Sequence, residues 1–368
     1  MPPVDLAEIS AKARHPLDVV AREPRICIWE ITLACNLRCI HCDNHAERPA
    51  PRELSMPALK LIAEELKSLG CRLVDITGGE PLLRPDWHEL CGHIARQGID
   101  VALVTNGTLL DAEAVDRAVG VGVGAIAISI DGLKTTHDST RQFIAGSSSA
   151  FDAAIAAIRR AARLLPVSVI TQVNRTNLGE LNDIGKLLGT LGVTRWQLQL
   201  AIPTRRLVQQ AEDYVIAPAQ LEQLTRFIVA ASTNPAIPMI HCSDNIGYAT
   251  SAEAILRRKA SGPGIWLGCV AGIRAVAIKY DGTVRGCSLL PAEFDAGNLH
   301  ESSLVDLWNN RQAFAYSTEF KHAHLQGKCA SCHYGMICRA GCTTMAYFAS
   351  GTSGNNPYCL HSVRSGAP

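Results

Sequence analysis

The 368-residue sequence has no excess of charge of either sign: 35 lysines and arginines stand against 34 aspartates and glutamates, for a net charge of +1. With no basic stripe either, it lacks the electrostatic footprint of a nucleic-acid binder and of a polybasic membrane-surface segment. No apolar run approaches the ~18 residues of a membrane span. The start, Met-Pro-Pro-Val-Asp-Leu-Ala-Glu, lacks the charged opening and apolar centre of a secretory signal. The expectation is a cytoplasmic protein with neither nucleic-acid nor membrane partners. Low-complexity segments are also absent. What the chain does have is 47% hydrophobic residues, enough for a sizeable core, and 14 cysteines. Without an export signal those thiols are expected to be reduced, so their spacing carries the information.

Cys35, Cys39 and Cys42 form a C-x3-C-x2-C run just after the apolar segment 26–31. A [4Fe–4S] cube is usually held by four thiolates, so a loop offering three leaves one iron open to bind something else. A zinc knuckle or a disulfide pair is the plainer alternative, but structural zinc wants four closed ligands. Seven more cysteines follow residue 268: Cys269, Cys287, Cys329, Cys332, Cys338, Cys342 and Cys359. From Cys329 to Cys342 they read C-x2-C-x5-C-x3-C, and because C-x2-C also serves zinc, two zinc sites are the alternative there. Cys27, Cys71 and Cys91 lie in or beside apolar segments and read as small buried hydrophobes. Cys242, in the polar stretch 241–245, stands apart from all of these.

From residue 26 to about 235, short apolar runs alternate with helix-period segments, the pattern of parallel βα units. Strands are expected at 26–31, 72–76, 99–105, 125–130, 167–173 and 195–200. Helices are expected near 56–69, 86–97, 111–119, 149–164, 178–191 and 219–232, the first opened by Ser55 at the cap and Pro57 in the first turn. Six repeats favour an α/β fold of the partial (β/α)6 TIM-barrel kind, with chemistry at the carboxyl ends of the strands. The three-cysteine loop falls at such an end. Residues 1–25 read as an extension and 236–268 as an aperiodic bridge. A region from 269 to 368 opens with a hairpin around a two-residue Asp281-Gly282 turn.

At the end of the second strand stands Asp75-Ile-Thr-Gly-Gly-Glu-Pro81, whose paired glycines let the backbone approach a ligand closely. Cysteine loop and glycine pair together resemble the radical S-adenosylmethionine (SAM) enzymes, and the seven C-terminal cysteines resemble their SPASM extension. The resemblance implies SAM as cofactor together with three [4Fe–4S] clusters. The open iron on Cys35, Cys39 and Cys42 would take the amine and carboxylate of SAM, and Gly78, Gly79 and Glu80 would hold its amino group. His41 stands where the family commonly has an aromatic residue facing the adenine, with a hydrogen-bonding role equally open. Thr105, Asn106, Ser129, Asp131, Gln172 and Asn174 lie at strand ends that in the family contact the ribose and carboxylate, although turn chemistry alone also favours such residues. One auxiliary cluster would sit on Cys329, Cys332, Cys338 and Cys359, the other on Cys269, Cys287 and Cys342. Some members place a further cysteine where this chain has Pro263, so the second of these sets is a thiolate short and Cys242 is a candidate to fill it. The sulfatase-maturating branch carries an aspartate base at the position of Ser288, which argues against simple transfer of that branch's dehydrogenation.

The expected activity is reductive cleavage of SAM to a 5′-deoxyadenosyl radical that abstracts hydrogen from a substrate. Peptide maturation by cross-linking, thioether formation or epimerisation leads, with Cys242 as a candidate thiol hydrogen donor for an epimerase. A small-molecule substrate is the rival, and a non-catalytic iron–sulfur electron-transfer protein the more distant one. A low-potential donor such as a flavodoxin or ferredoxin is expected. The 25 residues before the first strand are too few for a leader-binding domain, so a separate leader-recognition protein is a further expected partner.

Overall fold

The computed structural model describes all residues except 1–14, 147, 244, 249, 259–263 and 365–368, and omits the side chains of 205 and 206. Pro263 therefore lies outside the described residues. In chain order the strands are β1 (Ile26–Glu30), β2 (Leu37–Cys39), β3 (Leu73–Thr77), β4 (Asp100–Thr105), β5 (Ala125–Ser129), β6 (Arg141–Phe143), β7 (Val167–Val173), β8 (Arg195–Leu200), β9 (Met239–Cys242), β10 (Ala275–Ile278), β11 (Thr283–Arg285) and β12 (Gly297–Asn298). The six expected strands β1, β3, β4, β5, β7 and β8 are consecutive parallel neighbours in one sheet. Helices Met56–Ser68, Trp87–Arg96, Ala112–Gly120, Ala150–Ala161, Leu181–Thr190 and Leu221–Ala231 follow them in turn. The partial barrel is therefore present. No helix among the described residues is long and apolar enough to cross a membrane.

Alternation along each strand separates two faces. Trp29, Ile76, Leu103, Ile126, Val169, Trp196 and Leu198 are buried in the layer shared with the helices. The alternate positions, among them Ile28, Glu30, Asp75, Thr77, Ala102, Ser129, Gln172, Gln197 and Gln199, face the lumen. Aspartate and serine side chains cap two of the helices: Asp111 accepts from the Ala114 N–H at 2.8 Å and Ser149 from the Asp152 N–H at 3.1 Å. Ser55 holds the extended backbone of a cap but makes no side-chain capping bond.

Three features depart from the sequence reading. The bridge 236–268 contributes a seventh parallel strand, β9, beside β8; at four residues it is too short to show a period. The hairpin loop is three residues, Tyr280-Asp281-Gly282, because the Lys279 N–H donates to the Thr283 carbonyl at 2.9 Å and Gly282 takes φ +84°, the type I turn with a left-handed third residue. And β10, which opens the cysteine-rich C-terminal region, pairs in parallel with β1, matching Cys27 to Val276 and Trp29 to Ile278. The C-terminal region thus begins inside the barrel's own sheet.

Candidate active site

The three-cysteine loop leaves β1 at the mouth of the barrel. Glu53 shapes its start, its Oε1 accepting from the Leu33 N–H at 2.7 Å and the Thr32 hydroxyl at 2.9 Å. The loop then runs as β2, paired antiparallel with β6 so that Cys39 lies opposite Arg141. This small ribbon, too short to register as a sequence pattern, pins the motif. Cys35, Cys39 and Cys42 gather around Leu37, Phe143 and Ala150. Burial pushes the Cys35 thiol up to about 12, with Cys39, Glu80 and Cys42 adding to it. A metal that takes the proton's place would hold it as the thiolate. Asn36, also in the loop, accepts from Asn106 Nδ2 at 3.0 Å and donates to the Thr108 hydroxyl at 2.8 Å, tying the loop to the end of β4.

The glycine pair is required by its neighbours. A Cβ on Gly78 would lie 2.5 Å from the Thr32 carbonyl, and one on Gly79 2.2 Å from that of Ala34. The Gly79 N–H donates to the Thr32 carbonyl at 2.8 Å and the Glu80 N–H to the Ala34 carbonyl at 2.7 Å. The end of β3 is thereby laced to the residues just before Cys35. The Glu80 side chain, expected at the cofactor, is completely buried and turned to β4, accepting from the Thr105 hydroxyl and the Asn106 N–H at 2.8 Å each and from the Leu82 N–H at 3.2 Å. Burial raises it to about 7 against the pull of these donors. Glu80, Thr105 and Asn106 thus brace the site. Their side chains are spent on one another and on the cysteine loop.

Asp131 and His41 belong to a buried charged network. Asp131 Oδ2 lies 2.6 Å from Arg141 Nε and 3.4 Å from His41 Nε2, and Oδ1 accepts from the Gln172 N–H at 2.8 Å. Burial would raise the Asp131 carboxyl, but Arg141, His41, His137 and that N–H outweigh it and leave it below its ordinary value. Burial lowers His41 to about 4, so the ring is neutral. Its Nδ1 is 3.2 Å from the Tyr214 hydroxyl, and Arg141 reaches on to Cys39 Sγ at 3.9 Å. His41 thus both hydrogen-bonds within this network and stacks on the Tyr214 ring. Sequence reasoning missed Arg141, Tyr214 and His137, because no local spacing marks residues that meet only through the fold.

Of the remaining expected contacts, Ser129 and Gln172 face the lumen, and Gln172 Oε1 is buried with no hydrogen-bond partner, an acceptor left over for a ligand. Asn174 is corrected. It is fully buried, and its Oδ1 accepts from the Thr176 and Asn177 N–H groups, which is turn chemistry. Asp75, not singled out as a site from sequence, faces the lumen. It takes no hydrogen bond or ion pair from any described residue, and burial raises it to about 6. The lumen's lysine, Lys279, is committed to Glu30 at 3.1 Å and to Asn44 Oδ1 at 2.7 Å.

In the C-terminal region Cys329, Cys332, Cys338 and Cys359 line one cavity with Tyr248, Gly335 and Asn356. Cys338 is pushed up by burial and by the other three thiols. Tyr316 lies beside Cys269 and Cys287. The Thr344 hydroxyl contacts Cys287 Sγ at 3.7 Å, and Cys342, two residues earlier, donates its N–H to the Tyr248 hydroxyl at 2.8 Å. Cys242 does not join either group. Its register partner is Leu198, so it points to the helix layer, where it is buried beside Arg257 and Glu253. Strand alternation gives the lumen side of β9 to His241 instead, which removes the basis for Cys242 as hydrogen donor or cluster ligand.

These donor sets suit clusters. Three thiols with a buried cation beside them and a glycine pair closing the loop fit a three-coordinate cube, and four thiols around one cavity fit a closed one.

Comparison with known proteins agrees. Residues 29–188 match the model of the radical SAM superfamily, and residues 269–333 that of SPASM, an iron–sulfur cluster-binding domain. The chain is 31% identical over 357 residues to the AdoMet-dependent heme synthase of Methanosarcina barkeri, covering 92% of this chain and 97% of that protein. It is 28% identical to the mycofactocin maturase MftC of Mycolicibacterium smegmatis, over 91% and 82% of the two chains. In fold it resembles Streptococcus suis SuiB bound to S-adenosylmethionine, with a TM-score of 0.71 at 15% identity, over 92% of this chain and 77% of that one.

Proposed function

Because the chain belongs to the radical SAM superfamily and carries its SPASM iron–sulfur extension, we propose that it modifies a residue of a ribosomally made peptide by hydrogen abstraction. The cofactors are SAM and [4Fe–4S] clusters, which when bound supply a 5′-deoxyadenosyl radical able to take hydrogen from an unactivated carbon. Cys35, Cys39 and Cys42 would hold the SAM-binding cluster. The carbonyls of Gly78 and Gly79 would receive the SAM amine, since the neighbouring N–H groups are spent on Thr32 and Ala34. Gln172 and Ser129 would offer side-chain oxygens from across the lumen. Arg141, held by Asp131, would set a fixed positive charge beside Cys39. The barrel wall excludes water from the reacting atoms.

The observation that carries the peptide reading is the lining of the lumen. Gln172, Gln197 and Gln199 present carboxamides suited to main-chain amides, while Lys279 is already ion-paired with Glu30 and Asp75 is unpartnered. That lining suits a neutral or cationic polypeptide better than a polyanion. A tetrapyrrole substrate is the second reading, favoured by the 31% identity across nearly the whole heme synthase chain. A flavodoxin or ferredoxin would deliver the electron, and a separate protein would recognise the leader. The deciding experiment incubates the reconstituted, reduced protein with SAM and either a peptide encoded beside the gene or an iron coproporphyrin. Formation of 5′-deoxyadenosine with a changed peptide mass supports the first reading. A changed porphyrin mass supports the second, and no 5′-deoxyadenosine under any reductant overturns both.

A further inference from the structure

We propose that the buried hydroxyl of Tyr316 donates a hydrogen bond to the auxiliary cluster of Cys269, Cys287 and Cys342 and thereby raises that cluster's reduction potential. The inference rests on the reading that these three thiols hold a cluster. Placement is the first observation. Tyr316 lies in the single helical turn Ala315–Thr318, its ring edge-to-face with Phe294 at 5.0 Å between centroids. It shares a small cavity with Cys269. Its oxygen reaches the backbone just before Cys287, where a Cβ on Gly286 would lie 2.1 Å from it. Only a residue without a Cβ lets the phenol come so close to that ligand.

An unanswered donor is the second observation. The Tyr316 hydroxyl is buried, and its proton has no acceptor among the described residues. A buried polar group left in that state costs free energy and is rare in folded proteins. The adjacent Gly286 N–H is itself a donor and cannot take the proton. Cys269 and Cys287 are the thiols beside the phenol, so a cluster seated on them would supply the missing acceptor. A second hydroxyl already serves sulfur in the same group, that of Thr344 at 3.7 Å from Cys287 Sγ.

The direction of the effect follows from charge. Reduction makes a cluster more negative, so a hydrogen bond to one of its sulfurs favours the reduced state and moves the potential upward. A neutral O–H does this without adding charge. A phenolate ligand would instead bury a fourth negative group beside three thiolates, the costlier arrangement. In the redox step the cluster gains one electron from a low-potential donor, and the phenol keeps its proton throughout.

The test compares cluster-loaded wild type with Tyr316→Phe, which keeps the ring and removes the hydroxyl. Each protein is titrated with dithionite under electron paramagnetic resonance, and its iron and sulfide are counted. Cys287→Ala assigns the signals: the redox wave it removes, together with roughly a third of the iron, belongs to the three-thiol site. In Tyr316→Phe the iron content should stay at the wild-type level. That wave alone should move to more negative potential by at least about 59 mV, a tenfold change in a one-electron equilibrium. A shift of that order is what one hydrogen bond to a charged group supplies. An unmoved wave with the iron intact overturns the proposal. Loss of that cluster from Tyr316→Phe also overturns it, by making the phenol a ligand. Should Cys287→Ala keep the full iron content, the cluster reading itself fails, and the proposal falls with it.

Discussion

The two cysteine-bearing regions are built in opposite ways. At the barrel mouth Cys35, Cys39 and Cys42 are placed by a backbone that hydrogen bonds hold without their help: β2 on β6, the glycine pair against Thr32 and Ala34, Asn36 against β4. In the C-terminal region Cys329 and Cys338 lie in single helical turns, Gly327–Ala330 and Gly335–Cys338. Between Cys338 and Cys342 run three consecutive left-handed residues, Arg339, Ala340 and Gly341, at φ 52°, 58° and 71°. Two of the three carry a Cβ that disfavours that conformation. Regular structure therefore supplies the geometry in the first region, whereas in the second a bound cluster would supply much of the stability, as metals do in small sites that fold on binding.

Stripping the iron is the strongest way to break that comparison. A chelated protein is expected to keep the barrel's circular dichroism and to be cut by protease first between 327 and 342; simultaneous loss of protection in both regions would contradict the contrast. Next, Cys39→Ala should abolish 5′-deoxyadenosine formation while iron content falls by only roughly a third, since one of three [4Fe–4S] sites is lost. A larger loss of iron would mean that the sites assemble together. Arg141→Met leaves Asp131 charged and buried without its partner and should cost about 3–5 kcal/mol, measured by chemical denaturation. Leu or Met in place of Asp131 as well should recover part of it.

Asp75→Asn sharpens the contrast through pH. A carboxyl raised to about 6 binds its proton more tightly in the folded chain than in the unfolded one. Stability from the protonated form is complete below about pH 4 and declines as pH rises to 6. The variant should therefore match wild type near pH 4 and exceed it by about 2 kcal/mol above pH 7, and a parallel pair of pH curves would show Asp75 to be solvated. The smallest effect is expected for Cys242→Ala. About 1–2 kcal/mol of packing should be lost, with product and 5′-deoxyadenosine unchanged, and loss of turnover would restore Cys242 to the site.

What could be read before folding was whatever repeats along the chain. The six strands announced themselves by apolar runs and the helices by period, each placed within a few residues. The cysteine groups were visible from spacing, and four of them do share one cavity. What stayed hidden depends on contacts between distant residues. Arg141 meets Asp131 and Cys39 only because β6 pairs with β2, and Glu80 turned out to be a brace because β4 ends beside β3. For Cys242 the polar sequence around it suggested access, but β9, unrecognised as a strand, decides by alternation which neighbour faces the lumen.

The pairing of β10 with β1 has a kinetic meaning. The C-terminal region is stitched into the barrel by ladder bonds from Ile26 to Trp29, so it cannot swing on a hinge to bring its cysteines nearer to the mouth. The span between the C-terminal cysteine groups and the three-cysteine loop is then a constant of the architecture. Any electron passed across it would be governed by driving force and intervening medium, without waiting on a conformational clock.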